Sequence, residues 1–499
     1  MASMTTAFIQ LFAYKKSLFC MIFVVALILF IESFFYVYSD ADESLLETIG
    51  EQFVKFEGKL GNDVHVIPDV PQKSPEYDEN WMDSYSEENL YYDKVDHNLQ
   101  NIKKPAAYAA KHKLPIIIWW THFTGGNSIK RCPKGDCYIT EARKFKTHPR
   151  TKGFLFYGTS FTAHDLPLPR LAHHEWGLCH EESPKNNPIL HHQSTIELFN
   201  HTSTFRRHSD YPLITQFLNS IETLLTPPQF NLNQKQKNGF APIIYIQSGC
   251  NPPSDRDAYV EQLMKHIKID SYGKCLHNKD LPSKYVDPMT MDEKGFHDIL
   301  AQYKFTLSME NGICEDYITE KLWRPLILGS VPIYRGSPTV NDWMPNSKSI
   351  ILIDDFKSPK ELADYIHWLD NNDKEYLKYL QHKTESVTNE NLSNFMKARP
   401  WGHTFSEQTF VSGFECLVCD RIHDNLKLES NGLPKKTHIA NQDHYGCPRP
   451  VMFEFPDSKL VGKTYDRRIW MDEYDQSKIQ SEMLKQKVLS STPKPLKIS

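Results

Sequence analysis

Phe305-TLSMENGICEDYITEKLWRPLILGSVPIYRGS-Pro338 decides the fold of this chain. It opens on the buried-strand run Phe305-TLS-Met309 and closes on a second one, Val331-PI-Tyr334, then a turn at Gly336-Ser337-Pro338. Between them lies a polar segment with Glu310, Asn311, Asp316, Tyr317, Thr319, Glu320 and Lys321, the last two at the expected start of a helix. A strand, a polar loop, a helix and a second strand make a parallel α/β unit, with the loop at the carboxyl end of the sheet. A helix N-terminus beside a cation suits a diphosphate, and a carboxylate suits ribose hydroxyls. The Glu-Lys pair alone is an ordinary capped helix start with solvated charges; the full string narrows that.

Working outward, further runs repeat the pattern. Ile243-IY-Ile246 and Ile350-IL-Ile353 read as buried strands of the same unit, and Ser358-Pro359 opens a helix with Leu362, Ile366 and Leu369 on one face. After the Ser248-GCNP-Pro253 loop, Ser254 with Asp257 reads as a capping box for a helix striped by Val260, Leu263, Met264 and Ile267. Upstream, Leu114-PIIIW-Trp120 and Gly153-FLFY-Gly158 read as strands, Ile196-ELF-Asn200 as a shorter one, and Leu213 to Leu225 as a helix. Thr226-PPQFNLNQKQKN-Gly239, polar and Pro-containing, separates the two units. Two such units imply Rossmann-like domains facing across a cleft.

The 499 residues carry 57 Lys and Arg against 62 Asp and Glu, a net charge of -5. So balanced a chain argues against a nucleic-acid binder. Leu18 to Ile31 is continuously apolar, with Lys15 and Lys16 before it and Asp40, Asp42 and Glu43 after it. This predicts a single membrane anchor with the N-terminus cytosolic and the remainder lumenal. The expected division is a cytosolic tail 1–16, anchor 17–39, extended stem 40–112, first domain 113–225 on the acceptor side, linker 226–240, second domain 241–404 and a Cys-containing extension 405–499 that is loose from Gln476. Asn200-His-Thr202 and Asn391-Leu-Ser393 are glycosylation sequons in that topology. Nine cysteines follow the anchor, so at least one thiol stays unpaired or bonds outside the chain. Cys132 and Cys137 read as a local bridge. Cys416 and Cys419, with His423, His444 and Cys447, read as disulfide-forming ahead of zinc-binding or redox-active.

The 305–338 string resembles the donor-binding motif of the α1,3-fucosyltransferases of glycosyltransferase family 10. The likeness extends with weaker motifs from about Leu114 to Phe356. It is greatest to the fucosyltransferase 10 and 11 branch, regarded as protein O-fucosyltransferases acting on small cysteine-rich EMI-type domains. That comparison rests on His173-HEWGLCHEESPKN-Asn187, Gln247-SGCNPPSDRDAY-Val260, Asp270-SYGKCLHNKDL-Pro282 and Phe414-ECLV-Cys419. The resemblance implies a GT-B fold, a GDP-fucose donor, inversion at the fucose anomeric carbon and no metal or other cofactor. It assigns Glu320 to the ribose, Lys321 and Arg256 to the diphosphate, Asn311 and Tyr317 to the donor site and Glu182 to the catalytic base, with Glu181 as competitor. Arg206, Arg207 and His208 match an acceptor-domain segment of structural or donor-proximal role. His173, His174 and His180 have no recognised metal spacing. The expected protein is a type II enzyme of the Golgi or endoplasmic reticulum membrane, with secretory glycoproteins as acceptors. The alternatives are α1,3-fucosylation of GlcNAc on N-glycans, or a non-catalytic lumenal glycan or nucleotide-sugar binder.

Overall fold

The computed structural model describes residues 104–123, 126–401, 407–455 and 464–492. The expected anchor, and the stem up to residue 103, lie outside them. No helix among the described residues is long and apolar enough to cross a membrane.

The first sheet contains β1 (Ile116–Thr121), β2 (Ser128–Cys132), β3 (Gly135–Thr140), β4 (Thr151–Tyr157), β5 (Glu175–His180) and β6 (His201–Thr204), in the order β2-β3-β1-β4-β5-β6. Only the β2–β3 hairpin is antiparallel. The second sheet contains β7 (Ile243–Tyr245), β8 (Ile269–Ser271), β9 (Phe305–Met309), β10 (Val331–Arg335) and β11 (Ile351–Leu352), ordered β11-β10-β9-β7-β8 and wholly parallel. Parallel strands are covered on both faces, so they read as unbroken apolar runs. Every residue of β1 and β9 is buried. Along β1, Ile117 and Trp119 join one core while Ile116, Ile118 and Trp120 join another, the period-two alternation of a strand.

The helices that matter below are α1 (Pro105–Lys111), α2 (Leu232–Lys237), α3 (Arg256–Leu263), α4 (Lys294–Ala301), α5 (Glu320–Leu328), α6 (Pro359–Asp370), α7 (Glu407–Ser430) and α8 (Thr464–Ser491). Helix α5 connects β9 to β10, and α6 begins at Pro359 with Ser358 as its cap, as the sequence implies.

Several expectations change. The end of the stem is helical, as α1. Within the linker, Asn231 and Gln234 form a capping box that starts α2. Residues 193–196 are a helical turn, and the strand begins only at His201. The helix expected from Leu213 starts only at Ile221. Tyr211 and Leu213 donate their amides to the Thr202 and Thr204 carbonyls, which holds this chain alongside β6. Ser254 does not cap α3, because its hydroxyl donates to the Glu310 carbonyl. Asp255 takes the cap position at φ 54°, and Asp257 accepts from Tyr245 and the Asn251 amide.

The largest correction concerns the C-terminal extension. Helix α7 lies on the β2–β3 hairpin, and its i, i+3 cysteines face it: Cys132 bonds Cys416 and Cys137 bonds Cys419. A local Cys132–Cys137 bridge does not form. In the hairpin register Cys132 opposes Gly135 and Cys137 opposes Lys130. Among the described residues Cys250–Cys275 and Cys314–Cys447 are the other disulfides, and Cys179 is a buried free thiol. With Cys416, Cys419 and Cys447 all bonded, no thiolates remain for the zinc reading. Residues 476–491 are not loose. They continue α8, which buries Ser477, Ser481, Leu484 and Val488.

Candidate active site

A cavity of about 530 Å³ opens at the carboxyl ends of the second sheet. Four of the expected donor residues line it: Arg256 at the start of α3, Asn311 after β9, and Glu320 and Lys321 at the start of α5. The local fold explains this convergence. Glu310 is fully buried, and its carboxylate accepts the Thr319 amide at 2.8 Å and hydroxyl at 2.7 Å, which fixes the N-terminus of α5 beside β9. Gly336 makes room for it, since a Cβ there would lie 2.5 Å from Glu310 Cγ.

Charge is concentrated in the cavity. Lys321 Nζ lies 3.0 Å from Glu320 and 3.8 Å from Glu310. Burial works against its charge, but the two carboxylates outweigh burial and raise its pKa. Burial disfavours the Glu320 charge too, yet Lys321 and Arg324 bring its pKa down to about 2. Arg256 is buried and donates to the Met309 and Gly249 carbonyls, while its Nε has no partner. Sequence reasoning missed two further cations in the wall, Lys185 and Arg324. Both were within reach of it. Arg324 is three residues from Lys321, one turn along the same helix face. Lys185 follows the Glu181-Glu182-Ser183-Pro184 turn. The far wall is apolar and aromatic, with Tyr272, Tyr285, Met291, Phe296, Leu300 and Pro325.

Glu182 is not among the residues lining this cavity, but Lys185, three residues on, is. Glu182 follows β5 of the first sheet, and the Tyr317 hydroxyl donates to its Oε2 at 3.0 Å. Tyr317 therefore does not line the cavity; it is buried and orients the carboxylate. Next to Glu182, Ser183 donates to Asn311 Oδ1 at 2.8 Å. The two sheets thus meet at the candidate base. Glu181 takes a different direction and accepts from Tyr157 at 2.9 Å. Asp316, the other motif acid, is wholly engaged. Arg207 forks onto it, and Thr339 and Trp343 donate to it. Arg206 pairs with Glu315. The basic segment and the motif loop thereby bind the two lobes together.

The sequence matches the family profile "Fucosyltransferase, N-terminal" over residues 111–214 and "Glycosyltransferase family 10 (fucosyltransferase) C-term" over residues 232–433. Among curated proteins it is similar to three named GDP-fucose protein O-fucosyltransferase 3. The rat protein is 47% identical over 381 residues, covering 74% of this chain and 78% of that one. The Danio rerio protein is 46% identical over 403 residues, covering 79% and 87%. The human protein is 45% identical over 379 residues, covering 74% and 79%. The chain belongs to glycosyltransferase family 10. A solved α1,3-fucosyltransferase with GDP-fucose aligns at a TM-score of 0.36 with 18% identity, covering 57% of this chain and 81% of that one, which is too distant to carry an argument.

In this fucosyltransferase His174 and His180 are packing groups. His180 is buried between Tyr445 and Thr159, and burial lowers its pKa to about 3. His174 packs edge-on against Phe154, with its pKa lowered to about 4 by burial and by His173. The metal-like clusters among the described residues are Cys137, Cys419 and His423, and Cys250, Asp257 and Cys275, and their cysteines are all in disulfides. The sequons differ. Asn200 donates to the His438 carbonyl and accepts from Arg170 and the Trp176 amide, and Thr202 is fully buried, so a glycan there conflicts with the folded contacts. Asn391 is exposed on the helix Glu390–Ala398.

Proposed function

We propose that this family 10 enzyme transfers L-fucose with inversion from GDP-fucose to Ser or Thr of small cysteine-rich, EMI-type domains of secretory proteins. One observation carries the reading: a cation-lined cavity of about 530 Å³ whose wall is joined to the Glu182 loop through Lys185 and the Ser183–Asn311 hydrogen bond. GDP lies along the cavity, its ribose on Glu320 and its diphosphate among Lys321, Arg256, Lys185 and Arg324. Guanine packs against the aromatic wall. The acceptor hydroxyl oxygen attacks the fucose anomeric carbon as the bond to the β-phosphate oxygen breaks. The bonding pair leaves with GDP, and the hydroxyl proton passes to Glu182. Four cations around the leaving diphosphate offset its growing charge, so the reaction needs no metal and turnover survives EDTA. The relatives' names as protein O-fucosyltransferases support Ser or Thr as acceptor. The fold is GT-B. The enzyme works as a single-pass type II protein of the Golgi or endoplasmic reticulum membrane, glycosylated at Asn391.

The test is incubation of residues 60–499 with labelled GDP-fucose and folded EMI-type domains, followed by mass spectrometry of the product. Fucose on Ser or Thr is the expected result. Fucose on GlcNAc of an N-glycan, or GDP binding without transfer, overturns it.

A further inference from the structure

The C-terminal stretch from Tyr445 to Trp470 lies beyond the 232–433 family match. Its described residues touch three segments around the candidate site. The Tyr445 hydroxyl donates to the Glu182 carbonyl at 2.8 Å and meets His180 Nδ1 at 2.7 Å. Cys447 is disulfide-bonded to Cys314, three residues from both Asn311 and Tyr317. The Phe453 amide donates to Asp255 Oδ2 at 2.8 Å. Arg467 forks onto both Asp255 oxygens, a buried pair, and also donates to the Phe453 carbonyl. The Trp470 indole donates to the Asn251 carbonyl at 2.6 Å.

The gripped residues are unusual ones. Asn251 and Asp255 have φ of 51° and 54°, the left-handed region that non-glycine residues enter at a cost and keep only when their surroundings hold them. They bracket the turn that ends at Arg256. Further along α8, Ser477 meets His192 at 2.8 Å and Thr195 meets Ser481 at 2.8 Å, so the same helix is fixed to the first lobe.

We propose that residues 445–455, together with Arg467 and Trp470 of α8, brace the site, and that Arg467 and Trp470 are positioning residues for the donor. They hold the 251–255 turn in its strained form and so aim Arg256 into the cavity. Neither residue touches the cavity itself. The inference rests on the proposed nucleotide-sugar reading of that cavity.

Two variants test it: Trp470→Phe, which removes the indole donor and keeps an aromatic ring, and the neutral pair Asp255→Asn with Arg467→Gln. Steady-state kinetics and GDP titration are compared with the parent. The expected result is a rise of about tenfold in KM for GDP-fucose and in Kd for GDP, with kcat within about threefold, since small displacements of positioning groups act strongly on bound geometry. Arg467→Lys should recover part of the loss. A purely structural role would lower the melting temperature and the active fraction but leave KM unmoved. KM and Kd within twofold of the parent in Trp470→Phe overturn the proposal, even where the paired variant does not fold. A fall in kcat alone overturns it as well. A parent protein that binds no GDP refutes the donor reading instead.

Discussion

The two lobes assemble their share of the site in opposite ways. The second lobe draws Glu310, Asn311, Glu320 and Lys321 from one continuous run between β9 and α5. The first lobe contributes Glu182, and that residue is held from a distance: by Tyr317 from the other lobe and by Tyr445 from the extension. The first sheet is itself stapled to α7 by disulfides 284 and 282 residues apart in sequence. The motif's share of the nucleotide site is therefore a local property of the chain, and placement of the base a global one. Lesions in the two lobes should differ in kind.

The largest effect is expected at the meeting point. Glu182→Gln should lower kcat by about 10²–10⁴-fold, the range for a lost general base. Kd for GDP should stay unchanged, because the donor contacts are intact. Undiminished turnover removes the base assignment, and a weakened GDP Kd erases the separation between the lobes. Cys416→Ser acts on the first lobe alone. Loss of this long-range staple should cost about 2–4 kcal/mol of stability, measured by denaturant unfolding under non-reducing conditions. KM for GDP-fucose should not move in the protein that stays folded. A raised KM would mean that α7 reaches the donor cavity after all. Lys321→Gln is the converse lesion. It should lower kcat/KM about a hundredfold, near 2.7 kcal/mol, by removing one cation from the leaving diphosphate. An unchanged kcat/KM would move the diphosphate away from α5.

The same contrast explains what was legible in the sequence. Strands β9 and β10 and the cap of α6 were readable because periodicity and capping act over a few residues. Asn311, Glu320 and Lys321 were readable because one motif holds all three between β9 and β10, whereas Arg256 came from the family resemblance. Helix α8 was not readable. Its buried stripe includes Ser477 and Ser481, which pack through hydroxyl pairs with His192 and Thr195 and carry no hydrophobic signal. The cysteine pairing was hidden because spacing says nothing about partners nearly three hundred residues away. Asp316 shows a subtler limit. It sits within the donor motif, yet its carboxylate is consumed by Arg207, Thr339 and Trp343, so its task is to join the lobes. Its place in the motif assigned it no task, and only the partners reveal a brace.

The smallest effect is expected at Glu310, where it tests how local the donor side is. Burial raises its pKa from 4.5 to about 7, with Lys321 pulling the other way and Glu320 adding to the rise. A carboxyl that titrates higher in the folded state holds its proton more tightly there than in the unfolded chain. Its contribution to stability is thus fully present below about pH 4.5 and is lost as pH climbs to about 7. Lys321 limits that loss, because ionised Glu310 gains a counter-charge 3.8 Å away. Glu310→Gln keeps an acceptor for the Thr319 amide and has no titrating proton. The gap in melting temperature between variant and parent should therefore shift in favour of the variant between pH 4.5 and 7, then level off. Parallel curves across that window would show that Glu310 does not titrate there. A flattened pH dependence of KM for GDP-fucose, with the acceptor KM unmoved, would confine the effect to the second lobe.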